Sequence, residues 1–272
     1  MRVGSAAGLS LVLWLVLPVS AQMTMSGSAA EGRRLFYAPT LGTNGLACAH
    51  CHADFDEEHQ DDGLIRAGHS LYNAAARETW WGKDPKRPNA YRQVASAAVV
   101  CLEHYQRSTT RLSAQQTMDL QAYLEAITRR PERAPLSVFP AGDLSGAYEG
   151  YGDGNRLDGQ PLFMAACHAC HPNGGAGIAP AIPRDRDPAF YARKVREGDG
   201  LGAVLTGIDP DAYDPAAGLF MPFFGADRLS QRQLRDIIAY IKSLPPLPGD
   251  TAARKSGRRG TPKSPPSKPR PR

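Results

Sequence analysis

Residues 48–52 read CAHCH and residues 167–171 read CHACH. Both are C-x-x-C-H, and together they use four of the five cysteines in a chain of 272 residues. This spacing attaches c-type haem: two thiols become thioethers on the haem vinyl groups, and the adjacent histidine binds the iron from its proximal side. It works because positions i, i+3 and i+4 share one face of a helical turn. A zinc site built from two C-x-x-C pairs would hold them about 15–20 residues apart; here 115 residues separate Cys51 from Cys167. A thioredoxin-like pair would need a βαβ context, and a structural disulfide gives no reason for a histidine at the same place twice. The expected cofactors are therefore two covalently attached haem c groups, on Cys48, Cys51, Cys167 and Cys170, with His52 and His171 as proximal iron ligands. His50 and His168, inside the x-x positions, are read as incidental.

A second repeat lies downstream of each motif. Residues 112–124 read LSAQQTMDLQAYL and residues 229–241 read LSQRQLRDIIAYI. They share L-S-x-x-Q-x-x-D-x-x-A-Y-[L/I], with apolar residues at helical spacing and Ser113 and Ser230 placed as N-caps. Upstream, Leu35-Phe36 and Leu162-Phe163 precede their motifs, each in a short expected helix. The first copy carries an additional loop, LGTNGL, before its cysteines. No alternating strand pattern is seen, so the fold expected is all-α: two helical units in tandem, at 22–130 and 144–246, joined by a proline-bearing linker at 131–143.

The ends of the chain differ from the middle. MRVGSAAGLSLVLWLVLPVSAQ has an early Arg2, an apolar run from Leu9 to Val19, and small residues placed for cleavage after Ala21. This is the pattern of a signal peptide at 1–21, too short for a comfortable membrane span, and it predicts a periplasmic or otherwise exported protein. The C-terminal segment 247–272 is rich in Pro, Ser, Lys and Arg and is expected to be disordered. Eight basic residues lie between Arg254 and Arg272; removing them from the formal net charge of +5 leaves −3. The units themselves are thus mildly acidic. The tail reads as a solvated extension ahead of a contact with an anionic membrane surface, and nucleic acid is not an expected partner.

The second unit resembles a small cytochrome c domain along its whole length. After CHACH comes GAGIAPAIP, where such domains place a turn whose carbonyl orients the proximal histidine; Pro180 marks it. GLFMPFFGADRLSQRQLRDIIAYIKSLP then resembles the family's distal loop and last helix, and the resemblance implies Met221 as sixth ligand of haem 2. The first unit lacks a Met-Pro. His171 to Met221 spans 50 residues and His52 to Cys101 spans 49, whereas Met221 to Leu229 spans 8, as does His104 to Leu112. By this measure either Cys101 or His104 takes the corresponding place. Met118 falls inside the last helix and reads as core; His69 reads as loop or pocket lining.

The first unit is similar to the cysteine-ligated domains of SoxA-type cytochromes and diheme thiosulfate dehydrogenases. GHSLYNA echoes their Gly-Ser-Leu-Asn-like loop, and CLEHYQRSTTRLSAQQTMDLQAYL carries a cysteine, an R-S turn and a helix ending A-Y-L. The resemblance implies Cys101 as the axial ligand of haem 1. It departs where those proteins carry arginines just before the cysteine and three residues after it: Ala97 and His104 stand at those places. Arg92, Arg107, Lys83 and Lys86 are the nearby cations that an anionic substrate would need, and Trp80-Trp81 reads as core packing.

The function expected is electron transfer with redox partner proteins. A sulfur-compound oxidoreductase acting on a small sulfur-containing substrate at haem 1 is the second reading, and a haem-based redox or gas sensor the third.

Overall fold

The computed structural model describes residues 26–77, 91, 93–129, 142–198, 200–206, 212 and 221–247. The leader, the stretch holding Trp80, Trp81, Lys83, Lys86 and Arg92, most of the linker, and the basic tail lie outside the described residues. In the first half, α1 spans Ala29–Tyr37, α2 is the single turn Cys48–Cys51, α3 spans Val94–Val100 and α4 spans Ala114–Ala126. In the second half, α5 spans Arg156–Ala166, α6 Pro188–Glu197, α7 Leu201–Thr206 and α8 Gln231–Ser243. There is no β-strand among the described residues, as the sequence predicts. None of the described helices is long and apolar enough to cross a membrane.

The repeated sequence is a repeated structure. Ser113 Oγ accepts the Gln116 N–H at 3.1 Å while Gln116 Oε1 accepts the Ser113 N–H at 2.8 Å, a capping box. Ser230 and Gln233 repeat it at 3.3 and 2.9 Å. These boxes start α4 and α8, which pack on α1 and α5 respectively. Phe36 and Phe163, the aromatics of the two Leu-Phe pairs, are fully buried. Each meets the tyrosine of the partner helix: Phe36 lies 5.8 Å from Tyr123 and Phe163 lies 5.3 Å from Tyr240, centroid to centroid.

The shared aspartate of the repeat now has a reason. Asp119 Oδ1 accepts the N–H of Ser28, the N-cap of α1, at 2.7 Å. Asp236 Oδ1 accepts the N–H of Asn155, the N-cap of α5, also at 2.7 Å. Each C-terminal helix thus satisfies a backbone donor at the start of its partner, one of those a helix cannot satisfy itself. The crossing is close because a glycine stands there. A Cβ on Gly32 would lie 1.9 Å from the Asp119 carbonyl oxygen, and one on Gly159 would lie 1.9 Å from that of Asp236.

The halves touch. Ile65 N–H donates to the Ala165 carbonyl at 3.1 Å, and Ile65 and Ala67 pack on the core of the second half. Arg228 makes a two-pronged ion pair with Glu57, at 2.8 and 2.7 Å. Replacing Gly159 with alanine pushes backbone against backbone at the α5–α8 crossing. Overpacking of this kind costs about 1–3 kcal/mol, so thermal unfolding of Gly159→Ala is expected at lower temperature than wild type. An unchanged midpoint would show that the crossing can open freely.

Candidate haem-binding sites

A cavity in the first half is walled by apolar side chains including Phe36, Leu46, Val94, Ala98, Leu120 and Leu124. Cys48, Cys51, His52 and Cys101 all line it. His52 Nδ1 lies 2.7 Å from the carbonyl oxygen of His69. A carbonyl only accepts, so Nδ1 carries the hydrogen and the Nε2 lone pair is left for a metal. Burial, more than any neighbour, pushes the His52 pKa down and keeps the ring neutral, the ligand form. The loop 68–74 is folded onto the motif: Gly68 N–H donates to the Cys51 carbonyl at 2.9 Å and Leu71 N–H to that of Ala53 at 2.8 Å. Glycine is needed at 68 because a Cβ would lie 2.3 Å from His52 Cε1.

Cys101 stands where α3 runs into a wide turn. Residues Cys101–Tyr105 form one turn of π-helix, closed by the Gln106 N–H on the Cys101 carbonyl at 2.9 Å. In an α-helix, residues three apart share a face; the widened turn breaks that phase. Cys101 faces the cavity, while His104 is buried outside its lining and packs edge-on to Tyr105 at 4.7 Å. The loop LGTNGL braces the turn. Thr43 N–H donates to the Gln106 carbonyl at 3.0 Å, Asn44 Nδ2 to that of Tyr105 at 2.8 Å, and Thr43 Oγ1 to that of Arg107 at 2.9 Å. The segment in which the first half exceeds the second is therefore the one that holds Cys101 in place.

Burial, followed by the neighbouring Cys48, pushes the Cys101 thiol up to about 12. Burial likewise raises Cys51, with smaller contributions from Cys101, Cys170 and Cys48. Arg77 also lines the cavity. Its pKa is lowered by burial alone, and its guanidinium has no acidic partner among the described residues.

In the second half, His171 Nδ1 lies 2.8 Å from the Pro180 carbonyl, the partner that the resemblance implies. Burial lowers this histidine too. Cys167 and Cys170 follow α5 directly, without the intervening loop of the first half. Met221 is half-buried, and its backbone rests on Gly198, where a Cβ would come within 2.6 Å of the Met221 carbonyl oxygen. His50 and His168 have a local structural part: His50 Nδ1 accepts the Ala47 N–H at 2.9 Å and His168 Nδ1 that of Asn173 at 3.2 Å, each tying down backbone that flanks its motif.

Other sequence expectations fare variously. Met118 is half-buried and, like Arg107, lies outside the cavity lining. Arg77 was not singled out by the sequence, because no motif or spacing marks it. His69 lines the cavity and meets His52 through its main chain, a contact that residue type cannot reveal.

The cavity fits a covalent haem: two thiols on one helical turn, a neutral imidazole with Nε2 available, and apolar walls. These features define a c-type haem protein. Residues 157–245 match the family model for cytochrome c. Over 247 residues the chain is 24% identical to the thiosulfate dehydrogenase of Allochromatium vinosum, covering 85% of this chain and 84% of that protein. Residues 157–245 are a cytochrome c domain, a redox domain whose cofactor is covalently bound haem c.

Gly68→Ala drives a methyl group into the ring of His52. Peptide mass analysis is expected to show haem lost from CAHCH and kept on CHACH. Full loading of both motifs would contradict this account of the proximal side.

Proposed function

We propose that the protein is an exported, two-haem electron-transfer cytochrome, with its leader at 1–21 and one haem on each C-x-x-C-H motif. The observation that carries this reading is the recurrence of one proximal geometry. Each motif histidine gives its Nδ1 hydrogen to a main-chain carbonyl, His69 at 2.7 Å and Pro180 at 2.8 Å. Bound haem supplies one-electron chemistry at its iron. The chain supplies the rest. The carbonyls fix the imidazole rings, and the apolar walls of the first cavity exclude water.

Cys101 is the proposed sixth ligand in the first half, supported by its place on the cavity wall, and His104 is set aside because it stands off that wall. Met221 is the proposed sixth ligand in the second. A thiolate donates charge and favours ferric iron, whereas His/Met ligation raises the potential, so the first site is the lower in potential and electrons leave through the second to a partner protein. Low-temperature EPR of the oxidised protein is expected to show a thiolate-type low-spin signal that Cys101→Ala abolishes and His104→Ala retains; a bis-histidine-type signal that His104→Ala abolishes and Cys101→Ala retains would assign the ligand to His104. Redox titration is expected to give two separate potentials, with the Cys101 site below the Met221 site. A single shared potential contradicts the order.

A second reading, oxidation of an anionic sulfur compound such as thiosulfate at the first site, is favoured by Arg77 and by the similarity to a thiosulfate dehydrogenase. A half-buried cation without an acidic partner among the described residues suits an anion, and hydrogen bonds to charged groups contribute about 1.5–3 kcal/mol. Thiosulfate turnover with an artificial acceptor is therefore expected, and Arg77→Ala should lower kcat/KM about tenfold or more with the EPR signals unchanged. Absence of turnover by the fully haem-loaded protein leaves electron transfer alone.

A further inference from the structure

Loop 221–228 belongs to the second half by sequence but to both halves by contact. On its own side it is held tightly. Phe224 N–H donates to the Val195 carbonyl at 2.8 Å, and the buried Arg196 reaches the Phe224 and Gly225 carbonyls through Nη1 at 2.9 and 3.1 Å. On the other side Pro222, Phe223, Gly225, Asp227 and Arg228 complete the wall of the first cavity.

Two hydrogen-bonded chains run from this loop into CAHCH. In the first, Asp227 Oδ2 accepts from His69 Nε2 at 2.6 Å, and the carbonyl of the same His69 accepts from His52 Nδ1 at 2.7 Å. In the second, Arg228 Nε donates to the Arg66 carbonyl at 3.0 Å, and Arg66 Nε donates to the Ala49 carbonyl, inside the motif, at 3.0 Å. Arg228 is fixed by Glu57, and Arg66 by Asp62 through bonds of 3.0 and 2.6 Å. One end of the loop thus carries Met221 and the other end orders the residues around His52.

We propose that Asp227 and Arg228 are positioning residues by which the second half sets the redox potential of the first site. The inference rests on the reading that CAHCH carries a haem. A firmly held acceptor on Nδ1–H makes a histidine a more basic ligand, which favours ferric iron. Releasing His69 weakens that acceptor, so the first-site potential rises, while the second site, whose His171 is held by Pro180, stays where it was.

The test is an EPR-monitored redox titration of the holoprotein. Asp227→Ala is expected to raise the reduced-to-oxidised ratio of the first site about threefold at fixed potential, an upward shift of about 28 mV for a one-electron couple, with the second site unmoved. Asp227→Asn removes the charge but keeps an acceptor for His69, and it should stay near wild type. Arg228→Lys keeps a cation beside Glu57 and loses the forked geometry; it should shift the first site in the same direction and supplies the test if Asp227→Ala folds poorly. The proposal is overturned if Asp227→Ala leaves the first site unchanged, if both sites move together, or if Asp227→Asn moves it as far as Asp227→Ala, which would be the effect of the charge alone. Haem on the CAHCH peptide, read by mass in the wild type, tests the underlying reading separately.

Discussion

A half-buried imidazole that donates its Nδ1 hydrogen to a main-chain carbonyl is the contact on which the rest of the structure depends. It leaves one ring nitrogen available, fixes the plane of the ring, and makes a loop rather than a helix responsible for both. In the first half that loop is 68–74, pinned to the motif by Gly68 and Leu71. In the second it is the turn at Pro180. The helices serve this arrangement. Paired crossings at Gly32 and Gly159, and capping contacts from Asp119 and Asp236, bring each C-terminal helix against the helix that precedes its motif.

The two halves share this proximal plan and diverge elsewhere. The first half has an inserted loop, and that loop is spent on the carbonyls of Tyr105, Gln106 and Arg107. The wide turn so braced puts a sulfur into the cavity wall and carries His104 away from it. The second half lends a wall to the first cavity through loop 221–228, and the first half packs Ile65 and Ala67 on the core of the second, so neither half is complete as an isolated unit. That mutual dependence is consistent with a similarity to thiosulfate dehydrogenase that runs through 85% of the chain rather than through the cytochrome c domain alone.

Much of this was legible in the sequence, and the omissions have physical causes. C-x-x-C-H is a local motif whose geometry is fixed by one helical turn, so spacing alone exposes it. The L-S-x-x-Q capping box is local as well. The spacing comparison could not separate Cys101 from His104, because the count from His52 points to one and the count to Leu112 to the other, and residue counts do not say which side chain a π-turn presents to the cavity. Arg77 and the Asp227–His69 pair were invisible for a different reason. They are defined by contacts between distant segments, 158 residues apart for the pair, and the His69 carbonyl would be present whatever side chain stood there. The aspartates of the repeat were visible as a pattern, but their purpose appears only when the N-caps of α1 and α5 are seen beside them.

The central claim is that the proximal geometry found at both motifs serves a haem at each. The most direct measurement is the intact mass of the exported protein, beside its haem-to-polypeptide ratio from the absorbance of a pyridine extract. The account predicts a chain carrying two covalently bound haems. A chain carrying one, with Cys48 and Cys51 present as free thiols, would contradict it.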